Sequence, residues 1–243
     1  MAALRSLLFN ITFYCWTSAI LILGLPVLLF PYPVTYGFGR LWVHVSLWLL
    51  RQLVGLDHRA IGLQHRNRQR QAIYAVKHQS AWDTLVFALY LNLPAYVLKR
   101  ELLYLPLFGF YLLRAGMIPV DRAGRASALK RMLGTAKRRR QQGRDLLIFP
   151  EGTRVAPGQH RPYQPGVAAL YGHLDLPVIP VALNSGLFWG RRAFNKKPGR
   201  ITVEFLPAIE PGLPRKAFMA ELEQRLESAC RRLAQEGKVN EAS

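Results

Sequence analysis

Residues 72–91 read AIYAVKHQSAWDTLVFALYL, and the change of pattern within them sets the fold. AIYAV (72–76) is a short apolar run of strand-forming residues. From Ser80 to Leu91 the apolar positions take helical spacing, with Ser80 as the expected N-cap. A strand that passes straight into a helix is the repeating unit of layered α/β folds. The alternation continues downstream. PAYVLKRE (94–101) and GMIPVDR (116–122) read as a strand and a strand end on either side of the apolar segment 102–115. ASALKRMLGTAKRRRQQG (126–143) reads as a helix stopped at Gly143, DLLIFP (145–150) as a strand and GVAALYGHL (166–174) as a helix. PVIPVAL (177–183) and RITVEFL (200–206) read as strands. A closing helix over about 215–236 places Phe218, Leu222, Leu226 and Leu233 on one face. The expected fold is α/β, a central mixed sheet flanked by helices.

Upstream, residues 7–30 (LLFNITFYCWTSAILILGLPVLLF) carry no charged side chain and are long enough to cross a hydrocarbon layer of about 30 Å. The run exceeds the apolar core of a signal peptide, and no small-residue cleavage site follows it, so it predicts an N-terminal hydrophobic membrane-anchoring helical segment. The prolines of LPVLLFPYP (25–33) leave two forms open, a single crossing or a bend into a helical hairpin. A second apolar run, LWVHVSLWLLRQLV (41–54), is too short to span. With Trp42, Trp48, Arg40 and Arg51 it reads as an interfacial helix, a buried core helix being the alternative. DHRAIGLQHRNRQRQ (57–71) reads as a polar linker, so the expected organisation is an anchoring region, 1–56, followed by an α/β domain, 57–243.

The chain of 243 residues is 51% hydrophobic, enough for one large core beside an anchor. Its net charge of +19 and pI near 10.7 favour anionic partners. The cations lie overwhelmingly after the apolar segment, which by the positive-inside bias puts the domain on the cytoplasmic side of the inner (plasma) membrane. The basic run Lys130-Arg131 and Lys137 to Arg140 suits a solvated helix face, anionic membrane lipids or the phosphates of coenzyme A. No nucleic-acid-binding motif accompanies it, and nucleic acid is not an expected partner. Two cysteines, Cys15 and Cys230, are too few for a disulfide framework or a cysteine metal site. The histidines lack metal-ligand spacing, so no metal is expected.

His78 stands at the carboxyl end of the strand 72–76, and Asp83 lies in the first turn of the helix that follows. The turn between them folds the carboxylate back onto the imidazole. A carboxylate accepting from one ring nitrogen fixes the tautomer and leaves the other nitrogen to remove a proton from a hydroxyl, which makes a general base without its own nucleophile. Ser80 is too close to His78 to complete a triad, and no G-x-S-x-G elbow is present. Taken alone, the spacing is weak, and its default reading is a helix-capping aspartate beside a surface histidine. FPEGTR (149–154) follows the strand DLLI and presents a carboxylate, a hydroxyl and a guanidinium on one turn, with Gly152 free to take an unusual backbone angle. Arg154 suits a phosphate; a surface turn closed by a Glu–Arg pair is the alternative.

HQSAWD, GMIPVDR, FPEGTR and PVIPVAL occur in this order, and over roughly residues 70–210 the chain resembles the glycerolipid acyltransferase family, which includes bacterial 1-acyl-sn-glycerol-3-phosphate acyltransferases. The resemblance implies His78 as general base, Asp83 as its orienting carboxylate, and Arg122, Glu151, Gly152, Thr153 and Arg154 around a phosphate-bearing acceptor. It implies direct transfer of a fatty acyl chain from an acyl-CoA or acyl-carrier-protein thioester to a lysophospholipid. The first candidate acceptor is 1-acyl-sn-glycerol-3-phosphate, giving phosphatidic acid, and another lysolipid is the second. No cofactor is implied beyond the donor. The alternative of another class is a non-enzymatic basic protein that binds membrane or nucleic acid, which would release no thiol from a thioester. Two positions depart from the family pattern. Lys77 stands where asparagine is common, and Gln164 in YQPG (163–166) stands where lysine is common.

Overall fold

Alternating side chains give the sheet two buried faces. The computed structural model describes residues 2–66, 70–121 and 124–242, with the side chains of 125 and 238–242 outside that description. Among the described residues, seven strands form one mixed sheet: β1 (Leu56–Ile61), β2 (Ile73–Val76), β3 (Ala95–Lys99), β4 (Ile118–Val120), β5 (Leu146–Ile148), β6 (Val178–Leu183) and β7 (Gly199–Phe205). Their order is β1-β7-β6-β2-β5-β3-β4. β6 and β7 pair antiparallel and every other neighbouring pair is parallel. Along β2, Tyr74 and Val76 enter one apolar layer while Ile73 and Ala75 enter the other, as a period of two requires. β2, β5 and β6 are buried along their whole length, which is why they read as unbroken apolar runs.

Helices α2 (Tyr32–Val54) and α3 (Asp83–Tyr90) cover the first face through Leu47, Leu50, Val86 and Phe87. The second face is covered by α5 (Arg125–Gln141), α6 (Pro165–Leu174) and α8 (Arg215–Ala242). Phe218, Leu222, Leu226 and Leu233 of α8 are fully buried, the stripe expected from their spacing. α4 (Phe108–Arg114) and the single turn α7 (Ser185–Phe188) lie in the connections after β3 and β6.

Two expectations are corrected. Residues 57–71 are not simply a linker, since β1 occupies their first part and pairs with β7 from Leu56↔Gly199 to Ile61↔Glu204. An edge strand is only half covered and tolerates Asp57, His58 and Arg59 along its length, so its sequence does not differ from a polar connection. Residues 67–69 of that stretch lie outside the described residues. The run 41–54 is the second half of a longer helix, α2, whose inward face with Val43, Leu47, Leu50 and Val54 belongs to the core while Leu41 and Trp48 face outward.

The apolar segment 7–30 does not run as one helix. α1 (Ala2–Leu23) ends at Gly24, and a tight 3₁₀ turn, Leu25–Leu29, leads into α2. A Cβ on Gly24 would lie 2.2 Å from the Phe38 ring, so glycine lets the two helices of this hairpin approach at its bend. Trp42 Nε1 donates to Thr17 Oγ1 across the pair, at 3.0 Å. Among the described residues α1 alone is long and apolar enough to cross a membrane, with 22 residues and a mean hydropathy of 1.7, and it is the candidate anchor.

Candidate active site

The loop between β2 and α3 wraps around a carboxylate. Asp83 Oδ2 accepts the backbone N–H groups of Gln79 at 2.6 Å and Ser80 at 2.7 Å, and lies 3.1 Å from His78 Nδ1. Its other oxygen accepts the hydroxyl of Ser185 at 2.5 Å. The carboxylate is acceptor-only when ionised, so this geometry assigns the ring proton to Nδ1 and leaves Nε2 with a lone pair. Asp83 is fully buried, whereas His78 keeps 9% of its surface and lines a cavity. Ser80 is not the N-cap: Trp82 holds that position without a side-chain bond, and Ser80 Oγ instead accepts the Trp82 N–H at 3.2 Å. The capping donors of the loop go to Asp83 because a carboxylate is the stronger acceptor.

FPEGTR is bonded to this loop from both sides. The His78 N–H donates to Glu151 Oε2 at 3.1 Å, the Val155 N–H donates to the His78 carbonyl at 2.8 Å, and the Phe149 ring stacks on the imidazole at 4.0 Å between centroids. Gly152 has φ +66°, and its N–H closes the turn onto the Phe149 carbonyl, a conformation that a side chain would strain. Gly152, Thr153 and Arg154 line the cavity beside His78, and Arg154 is half-buried. Burial lowers the Arg154 pKa; Asp83 opposes that shift and Arg191 adds to it. Glu151 does not line the cavity. It is 1% exposed and faces inward, with Lys77 Nζ 2.6 Å from Oε1. It therefore acts on the site through the His78 amide and Lys77. Arg122 lies outside the described residues; Asp121 before it is on the cavity wall.

Lys77, flagged as a departure, is 2% exposed and bridges two carboxylates, Glu151 and Glu227 of α8, the latter at 2.5 Å. Tyr163 donates to the same Glu227 oxygen at 2.9 Å. The Lys77 and Glu151 pKa values are both displaced upward. Burial works against the Lys77 cation but Glu151 and Glu227 outweigh it, and burial pushes the Glu151 carboxyl up more than Lys77 draws it down.

The cavity has a volume of about 1040 Å³, at the large end for small-molecule sites. It extends from His78 between α2 and the β3–β4 side of the sheet, where Tyr36, Val43, Leu85 and Met132 make its wall apolar. Arg40, Lys99, Arg154, Arg191 and Arg192 supply cations to its lining. A base facing an apolar space with a guanidinium beside it suits deprotonation of a hydroxyl on an amphiphile that bears a negative group. Sequence reasoning missed Ser185 and the α7–β7 arginines. Ser185 is 102 positions from Asp83, and no local pattern marks it.

The family model described as Acyltransferase matches residues 58–184. The 1-acyl-sn-glycerol-3-phosphate acyltransferase of Pseudomonas aeruginosa is 35% identical over 199 residues, covering 82% of this chain and 77% of that protein. The protein of the same name from Limnanthes alba is 32% identical over 187 residues, 75% of this chain and 66% of that one. The crystal structure of the 1-acyl-sn-glycerophosphate (LPA) acyltransferase PlsC from Thermotoga maritima shares the fold, with a TM-score of 0.79 at 20% identity over 96% of this chain and 98% of that one.

Proposed function

The chain belongs to the Acyltransferase family, and from that premise we propose that it moves a fatty acyl chain from a coenzyme A or acyl-carrier-protein thioester to the free hydroxyl of 1-acyl-sn-glycerol-3-phosphate. The observation that carries this reading is His78, held from behind by buried Asp83 and open to an apolar cavity that also exposes Arg154. His78 Nε2 takes the hydroxyl proton as the oxygen attacks the thioester carbonyl. The C–S bond then breaks, the thiolate leaves, and the imidazolium returns the proton to it, so that the products are phosphatidic acid and free thiol. Arg154 holds the acceptor's phosphate by charge-assisted hydrogen bonds, and the apolar wall holds an acyl chain.

The anchor in this reading lies along one leaflet on the cytoplasmic side. Ser6 bonds to Lys196 in the α7–β7 connection, and the Leu21 carbonyl accepts the Tyr111 hydroxyl at 2.8 Å. These contacts are about 22 Å apart along α1, so the helix runs over the domain rather than away from it. Its outer face presents Leu4, Leu7, Leu8, Ile11 and Leu23 to the bilayer, and the basic face of α5 suits anionic headgroups.

The test is His78→Ala in the full chain, assayed by acceptor-dependent thiol release. We expect kcat to fall by about 10²–10⁴ with the protein folded and membrane-bound. A folded variant with near-normal acyl transfer would refute the assignment.

A further inference from the structure

The turn between α7 and β7 carries Arg191 and Arg192 to the wall of the cavity that holds His78 and Arg154. None of these three guanidinium groups forms a salt bridge or hydrogen bond among the described residues, whereas Arg225 and Arg232 on α8 both do. Arg191 is near enough to Arg154 to lower its pKa, after burial. Asp83 favours the Arg154 cation, but its oxygens are already taken by His78, Gln79, Ser80 and Ser185. Asp121 on the same wall is paired with Arg100, and guanidinium groups on one cavity wall with no carboxylate partner of their own among the described residues attract an anionic ligand.

The turn is built into that position from both ends. At its start, Ser185 of α7 bonds Asp83, and the Trp189 N–H donates to the Ser185 carbonyl at 2.9 Å. At its end, Lys196 is 2% exposed, donates from its backbone to Ser6 Oγ at 2.9 Å and from its ammonium to Asn10 of α1, and sits over the rings of Phe9 and Trp189. Between them Arg192 takes φ +57°, a left-handed conformation rarely kept by a side-chain-bearing residue unless its surroundings impose it.

We propose that Arg191 and Arg192 complete, with Arg154, the seat for the acceptor's phosphomonoester dianion. The inference rests on the reading of the site as a lysophospholipid acyltransferase and adds to it residues beyond the segment 58–184 matched by the family model. The acceptor's phosphate is only a few covalent bonds from the attacking hydroxyl, so it must bind close to His78, where Arg154 is. The phosphates of the donor are separated from its thioester by the whole pantetheine arm and fall outside this cluster.

The experiment measures steady-state kinetics of the full-length protein in mixed micelles, varying 1-acyl-sn-glycerol-3-phosphate and acyl thioester separately, for wild type, Arg191→Ala, Arg192→Ala, the double alanine variant and the double lysine variant. The double alanine variant should raise the acceptor KM about ten-fold or more, with donor KM within about two-fold of wild type. The double lysine variant keeps the charge and should recover most of the loss. An unchanged acceptor KM, or a rise confined to the donor KM, overturns the proposal. Thermal melting of each variant separates a binding loss from misfolding. If wild type acylates no lysolipid, the underlying functional reading fails; if wild type is active and the alanine variants match it, this inference alone fails.

Discussion

Ser185 donates its hydroxyl to Asp83 Oδ1 at 2.5 Å, and both side chains are fully buried. The neighbouring residues fix the same junction. Asn184 accepts the Thr202 N–H and donates to the Leu233 carbonyl, and the Gly186 N–H donates to Gln79 Oε1. The end of β6 thus clamps the loop that carries His78. Ser185 bonds the carboxylate that in turn bonds the His78 ring, so in the proposed mechanism it is a positioning residue.

Ser185→Ala leaves Oδ1 of Asp83 unsatisfied and the carboxylate free to turn. We expect kcat to fall about ten-fold, with both KM values little changed, as for an interaction that matters to the geometry of proton transfer. In an Asp83→Ala background the same substitution should cost nothing further, because there is nothing left to position. If the losses were equal in both backgrounds and followed the melting temperature, Ser185 would be a structural residue of α7 only.

Lys77→Met removes the cation between Glu151 and Glu227 and leaves a buried and a partly buried carboxylate beside each other. Breaking a buried pair in this way costs about 3–5 kcal/mol, and the thermal midpoint should fall accordingly. Adding Glu227→Gln removes one of the stranded charges and should restore part of the loss. Activity should drop more than stability explains, since Glu151 also holds the His78 amide. A Lys77→Met protein that melts like wild type would show that the pair contributes nothing net.

The strand at 72–76, the helix after it and the His–Asp pairing were legible because each follows from a period or a spacing inside a short window. The FPEGTR turn was legible for the same reason, through Gly152, whose φ is +66°, and Arg154 lines the cavity beside it. β1 was hidden because half-exposed Asp57, His58 and Arg59 carry no apolar alternation. Lys77 was visible as an odd residue, but its meaning depends on Glu227, 150 positions away, and on Tyr163 beside it. Glu151 looked like a group facing the acceptor. Its inward orientation follows from Lys77, which a motif comparison cannot weigh.

Asp145 joins the turn before β3 to β5 by accepting the N–H groups of Ala72 and Asn92, and burial raises its pKa from 3.8 to about 6. Between those values the folded protein holds a proton that the unfolded chain has released, so this residue's contribution to stability falls as pH rises through that window. At about 1.4 kcal/mol per pH unit the change is up to about 3 kcal/mol. Comparing the melting of wild type and Asp145→Asn from pH 3.5 to 7 isolates it. The advantage of wild type should shrink as pH rises through about 4 to 6 and stay level above; an advantage that grows across that window would contradict the assignment.

Gly39 of α2 lines the cavity, and a Cβ built on it meets no atom within 4 Å. A phenylalanine there has room to enter the apolar space without displacing the fold, and replacing a helical glycine by it favours the helix by about 0.3–0.5 kcal/mol. If the cavity holds the transferred acyl chain, Gly39→Phe shortens the space available to it. The kcat/KM for a palmitoyl thioester should then fall about ten-fold or more, whereas a decanoyl thioester should be used nearly as well as by wild type. Because the base, the arginines and the acceptor are unchanged, kcat with the short donor reports intact chemistry. Melting at or above the wild-type temperature would show that the side chain lies in the void rather than forcing α2 from the sheet. An equal loss with both donors would place the chain elsewhere and sink the assignment of this cavity.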